Sequence, residues 1–375
     1  MTDHPSQAVR VAVIGLGKMG LSHLALFRAH PDVRLVAVCD PARHVLGPIG
    51  QYTGLKTYAD YTDLFAGEEL DAVVVATPSR FHGAIVRAAL ERSLHVFCEK
   101  PFTLDPDEGV ELANLAKAKG VANQVGYHYR YVGSFMEVQR LVRTGVIGRL
   151  HNIRAEAYGP VVLRSRGSTW RSSRSEGGGC LYDYASHAID LMNYMVGSPI
   201  GESGTVLGKI FSRDVDDEVY STFTYGDGLS GQLMANWSDE SQRKMSMKIG
   251  IWGDGGHIQA DRQEMRIFIR DGGRAAKIGM NQGWNVRNVT QLTQPVWFYL
   301  RGEEYSAQVH AFIKFCQGDP TLNLSTFASA NETDRIVARL ATGAENVQVR
   351  GRRRVGAPKR GPTRGLLRTF MPWKK

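Results

Sequence analysis

Near-continuous apolar runs and strictly alternating ones occupy different stretches of this chain, and the change of texture predicts its organisation. VRVAVIG (9–15) is β-branched and ends on glycine, and LSHLALFRAH (21–30) has helical spacing up to Pro31, which reads as strand, tight turn and helix. VRLVAVCD (33–40), DAVVVATP (71–78) and LHVFCEKP (94–101) repeat the buried type of strand with helices between them. ELANLAKAKG (111–120) predicts a helix with a glycine stop, and VANQVGYHYR (121–130) a further strand. Apolar strands alternating with helices predict a parallel sheet covered on both faces, an α/β domain spanning residues 8–126. A helix through FMEVQRLVRTG then leads into the period-two strands LHNIRAEAYG (150–159), DEVYSTFTYG (217–226) and LSGQLMANWS (229–238). MSMKIGIWG and EMRIFIRDG continue the series, and SAQVHAFIKFCQG and SANETDRIVARLATGAEN predict late helices. Residues 127–350 therefore read as an α+β domain on a large, mainly antiparallel open sheet with one face bare.

At 375 residues the chain exceeds one ordinary core, which agrees with two domains. With 43% hydrophobic and 22% charged residues it is neither disordered nor fibrous in type. No apolar run approaches the ~20 residues of a membrane-spanning helix, and MTDHPSQAVR lacks the basic-then-apolar order of a secretion signal. Cytoplasm is the expected compartment. Cys39, Cys98, Cys180 and Cys316 are too scattered for a zinc site or disulfide framework, and His151, His257 and His310 lack ligand spacing, so no metal is expected.

The net charge of +9 invites a nucleic-acid partner until it is placed. Residues 351–375 hold nine of the 46 Lys and Arg and no acid, leaving 37 bases to set against 37 acids in a neutral body. No specific nucleic-acid partner is expected. The tail places Leu366, Leu367, Phe370, Met371 and Trp373 among its basic residues. It reads as a disordered solubilising segment, as an attachment to the anionic inner face of a membrane, or as a contact for another polyanion.

VIGLGKMG (13–20) sets Gly15, Gly17 and Gly20 in GxGxxG spacing between a predicted strand and a predicted helix, with Lys18 and Met19 inside the motif. Glycine there permits the tight turn, close approach of the backbone to a pyrophosphate, and close packing of helix on strand. Asp40 ends the next strand, where a carboxylate accepts hydrogen bonds from the adenosine ribose and repels the extra phosphate of NADP. Arg43 suits that phosphate, so NAD is the expected cofactor and NADP the alternative.

With this fingerprint, EKP at 99–101 and GGGCLYDYASHAIDLM at 177–192 in the same order, the chain resembles the Gfo/Idh/MocA oxidoreductase family over most of residues 9–345. The resemblance implies a Rossmann domain, and two later segments that converge on the nicotinamide and carry Lys100, Asp183 and His187. It implies substrates among sugars, sugar nucleotides and cyclic polyols. It also implies that Thr77, Pro78 and His82 of ATPSRFH lie beneath the cofactor riboses. One position departs, since Ala185 stands where the family's usual pattern has glycine, a methyl that a pocket tolerates with some narrowing.

The residue chemistry agrees. Oxidising a secondary alcohol needs a base for the hydroxyl proton, and an imidazole with an unperturbed pKa near 6.5 serves best, which selects His187. Asp183, four residues earlier, is expected on the same helical face, to orient the imidazole or bind a substrate hydroxyl. Lys100, at the carboxyl end of a strand, is expected to stabilise alkoxide charge, with Glu99 orienting it. Tyr127, Arg130, Trp170 and Arg171 are candidates for the substrate side. The expected activity is hydride transfer between NAD(P) and a secondary alcohol carbon, in a homodimer or homotetramer built on the bare sheet face. Two rivals are a glycosidase that uses transient oxidation by NAD and a non-catalytic sensor of dinucleotide or sugar; the intact Lys100, Asp183 and His187 speak against the sensor.

Overall fold

In the computed structural model, which describes residues 8–161 and 170–344, the buried runs become β1 (Val9–Ile14), β2 (Val33–Cys39), β3 (Lys56–Tyr58), β4 (Ala72–Val75), β5 (His95–Cys98) and β6 (Asn123–Val125). All pair in parallel, in the order β3-β2-β1-β4-β5-β6. Between them run α1 (Lys18–Ala29), α2 (Arg43–Thr53), α3 (Tyr61–Gly67), α4 (His82–Glu91) and α5 (Pro106–Lys119). Successive residues of β1 serve opposite faces. Ala12 and Ile14 join a core with Leu64, Ile85 and Leu112, whereas Val11 and Val13 join one with Leu26, Phe27 and Leu46. The strand order reverses between β1 and β4, and ligands of doubly wound sheets bind at that crevice.

Alternating strands build the second sheet: β7 (Leu150–Tyr158), β8 (Gly201–Gly208), β9 (Glu218–Thr224), β10 (Ser230–Asn236), β11 (Ser246–Gly253), β12 (Gly256–Ala260), β13 (Glu264–Ile269) and β14 (Gly283–Asn288). Their order is β14-β13-β12-β11-β7-β10-β9-β8, antiparallel except where β10 runs parallel to β7. Every second residue of β10 is buried, and the inner face packs on α6 (Gly133–Arg143) and α7 (Ser186–Val196). Short helices α8 (Gly272–Ala276) and α9 (Val289–Leu292) lead to α10 (Glu303–Cys316) and α11 (Phe327–Gly343).

Three expectations need correcting. The first helix starts at Lys18, inside the glycine motif, rather than after it. The strand expected over 121–130 pairs with β5 at only three residues, after which the chain winds into a 3-10 turn over His128–Tyr131. The late helices do not stay with the second sheet: Tyr305, Val309, Phe312 and Ile313 of α10 complete a core of the first. Phe327 stacks on Phe102, with ring centres 4.1 Å apart, while Ile336, Val337 and Leu340 further along α11 enter the second core. The basic segment 351–375 lies outside the described residues.

Candidate active site

The glycine motif makes a seat open to an anion. Gly15 has φ +92°, and a side chain on it would strike the backbone of Ala76 and Thr77 at 2.7 Å. Gly20 leaves no room either, because a Cβ would stand 1.8 Å from Gly15 O. Gly17 differs, with nothing within 4 Å of where its Cβ would be. It is the N-cap of α1, and neither a capping side chain nor a first-turn acid occupies that helix end. Free N–H groups and the helix dipole at such an end favour a phosphate. Beside it, Thr77 Oγ1 is buried without a partner. Asp40 directly follows β2 and its carboxylate accepts from Leu16 N at 2.6 Å and Ala42 N at 2.8 Å, which fixes it at the rim of the turn. Lys18 and Arg43 are exposed, Met19 leans into the core, and Pro78 is exposed on the following loop. These residues fit a dinucleotide laid across the carboxyl ends of β1 and β4.

His82 is a brace: its Nδ1 lies 2.9 Å from Pro101 O and its Nε2 3.0 Å from Thr77 O, tying the Thr77 loop to the turn after β5. In that turn the Lys100–Pro101 peptide is cis. Glu99 is buried, accepts from Lys100 N at 3.2 Å and meets His23 Nε2 at 2.6 Å. Burial pushes the Glu99 carboxyl up, and His23 with Lys100 outweighs it, for a net fall. His23 belongs to α1, so this pair pins the glycine-motif helix to the strand end that presents Lys100.

From the second domain, Gly177–Gly179 admit a sharp entry into the segment carrying Asp183 and His187. Gly179 has φ +106°, and a Cβ there would lie 2.6 Å from Asp216 Oδ1; the Asp216 carboxylate itself receives Leu181 N at 2.6 Å. The next five residues, Leu181–Ala185, form a π-helical turn before α7 begins. Lys100 Nζ donates to Asp183 Oδ1 at 2.8 Å and to its carbonyl at 3.0 Å, and Arg171 Nε donates to Oδ2 at 2.8 Å. Burial raises the Asp183 carboxyl, but Lys100 and Arg171 together bring it down to about 2. Here the expectation fails in one respect. Because a wider turn intervenes, Asp183 is committed to Lys100 and Arg171, and among the described residues no hydrogen bond joins it to His187.

His187 is 5% exposed, with Nδ1 buried and unpartnered. Burial, then Lys100 and His128, hold it well below its ordinary value, so the ring is neutral near pH 7. Ala185 is fully buried in the second core, so its methyl is spent on packing.

Of the substrate-side candidates, Trp170 and Arg171 remain at the site, the guanidinium lying 4.7 Å over the indole. Tyr127 packs edge-on to His187 at 5.8 Å, but its hydroxyl faces Asp334 at 3.5 Å. Arg130 does not fit the expectation: it is buried, bonded to Asp190 at 2.6 and 2.9 Å and to Leu324 O at 2.6 Å, a strut inside the protein. Two residues at the site escaped the sequence reading, His23 and His128. Their neighbours come from distant segments, and only the aromatics flanking His128 hinted at it.

Residues 9–127 match the Gfo/Idh/MocA model described as "Oxidoreductase family, NAD-binding Rossmann fold", and residues 135–259 match the "GFO/IDH/MocA C-terminal domain". The scyllo-inositol 2-dehydrogenase (NAD(+)) of Bacillus subtilis (strain 168) is 27% identical over 235 residues, 61% of this chain and 67% of the relative. The D-glucoside 3-dehydrogenase of Escherichia coli (strain K12) is 29% identical over 205 residues, 54% of this chain and 57% of the relative. Among solved structures, levoglucosan dehydrogenase in complex with NADH shares the fold with a TM-score of 0.78 at 21% identity, covering 90% of this chain and 97% of that one.

Proposed function

Because the chain belongs to the Gfo/Idh/MocA family of NAD-binding oxidoreductases, we propose that it oxidises, or in reverse forms, a secondary alcohol on a sugar, sugar nucleotide or cyclic polyol. The observation that carries this is a neutral, buried His187 beside the Lys100–Asp183 pair, at the strand ends where the open N-terminus of α1 offers a phosphate seat. Gly15, Gly17 and Gly20 with Thr77 and Asp40 would hold the dinucleotide, which supplies the hydride acceptor when bound. His187 removes the hydroxyl proton, or returns it in the reducing direction. Lys100 stabilises the negative charge that develops on that oxygen, and Asp183 fixes the aim of its ammonium group. Arg171 and Trp170 offer a donor and an apolar plate to the rest of a sugar ring. The half-open Trp284 and Val286 at the edge of the outer sheet face, 54% and 51% exposed, support a homo-oligomer.

The direct test is NADH absorbance with NAD and a panel of sugars and polyols. At least one should give sustained NADH formation, and His187→Ala should lower its kcat by about 10²–10⁴. Full turnover by that variant would remove His187 from the role.

A further inference from the structure

Each oxidation leaves one proton on a base that is almost wholly enclosed, so the proton needs a route to water. The rings around His187 are Tyr127, His128 and Tyr129, edge-on at 5.8, 5.0 and 5.2 Å. Both phenols are poor carriers, since burial raises Tyr127 well above its ordinary value and raises Tyr129 strongly. Asp183 is a committed carboxylate between Lys100 and Arg171. Lys100 is already the cation of that pair.

His128 remains. It is half-buried where His187 is 5% exposed, and its ring is held by Tyr305 stacked at 4.6 Å and by Tyr129 at 4.4 Å. Burial first, then Arg262, Lys100 and Arg301, hold it well below its ordinary value against a ring hydrogen bond to the Gly126 backbone, so the ring rests neutral, with a basic lone pair on its second nitrogen. The unpartnered buried Nδ1 of His187 completes the geometry, because an imidazole that takes a proton at one nitrogen sheds one from the other.

We propose that His128 carries the proton between His187 and solvent. The inference rests on His187 being the base. His187 Nε2 takes the carbinol proton while the cofactor takes the hydride. The Nδ1 proton then passes, through one water or after a small ring rotation, to the His128 nitrogen that is not bonded to the Gly126 backbone, and the ring proton that His128 donates to Gly126 is released to bulk water. One proton leaves per hydride transferred, each ring ends neutral as its other tautomer, and exchange of the ring protons with water restores the starting tautomers before the next turnover.

The test is His128→Asn, with His128→Phe as a second variant that keeps a ring on Tyr305, both checked for native circular dichroism. Expected in dilute buffer is a fall in kcat of about tenfold or more, a larger solvent deuterium isotope effect, an unchanged KM for NAD, and recovery on adding imidazole. In the cofactor-free protein, imidazole 15N NMR should show His187 titrating at higher pH in His128→Asn, because His128 is among the groups that hold it down. Unchanged kcat with no response to imidazole in either folded variant would overturn the relay. If His187→Ala is inactive in the same assay, only the relay falls; if it is fully active, the base assignment falls with it.

Discussion

His187 and Asp183 are both displaced downward, for different reasons. The imidazole is depressed because burial, Lys100 and His128 disfavour its charged form. The carboxyl is depressed to about 2 because Lys100 and Arg171 overcome the effect of burial and favour its charged form. The sign of each shift places the site in one state, neutral His and ionised Asp, from the acid range through neutrality. kcat/KM should therefore show no loss to protonation of either group between about pH 6 and 8. A pH–rate profile of the free enzyme checks this. An acid limb with an apparent pKa near 6.5, the value of an unperturbed histidine, would mean that His187 is hydrated in the working state.

At the scale of elements, α1 shows why the three glycines are not equivalent. Gly15 and Gly20 face backbone, so a side chain there disrupts the joint between β1, α1 and β4, whereas Gly17 faces open space. Gly17→Val should leave the fold and its melting temperature nearly unchanged, and weaken NAD binding by about tenfold or more by filling the seat over the helix N-terminus. Isothermal titration with NAD, alongside thermal unfolding, separates the two effects; equal affinity would place the pyrophosphate elsewhere. The two-sided burial of β1 and β4 was legible in VRVAVIG and DAVVVATP, and the alternation of β9 and β10 in their period-two pattern. That Lys100, Asp183 and His187 share one site was implied by the family resemblance carried by EKP and the glycine-led segment, and by nothing in their spacing. Their pairing was not. An i,i+4 spacing implies a shared face only in a regular α-helix, and here a π-helical turn runs over Leu181–Ala185, its first N–H held by Asp216 from a later segment. The parallel pairing of β10 with β7 was equally hidden, because alternation reports which side of a strand is buried and nothing about its neighbour.

The whole molecule is tied together by helices whose sequences show that they pack but not where. α11 begins against Phe102 in the first domain and ends in the core of the second, and at the crossing Asp334 Oδ2 receives Thr103 N at 3.1 Å while Oδ1 faces Tyr127. Arg130 and Asp190 pair close by, and Thr333 Oγ1 lies 3.3 Å from Asp190 Oδ1. Burial pushes Asp334 up to about 7, against the backbone N–H groups of Thr103 and Phe102, with the Asp190 charge adding to the rise. An acid whose pKa is raised on folding binds its proton more tightly in the native state, so stability declines as pH climbs from the unfolded-chain value near 4 to the folded value of about 7. The penalty is fully developed above that window and absent below it. Asp334→Asn stays neutral at every pH, and its amide can still accept from Thr103 N while its NH₂ meets Tyr127. Relative to the native chain, this variant should therefore gain stability as pH rises from about 5 to 8, with little difference at the acid end. Melting temperatures of the two proteins across that range provide the measurement. A constant difference would mean that Asp334 does not change its protonation on folding over that range, in which case the junction between the two cores is not the neutral, hydrogen-bonded pin that its burial implies.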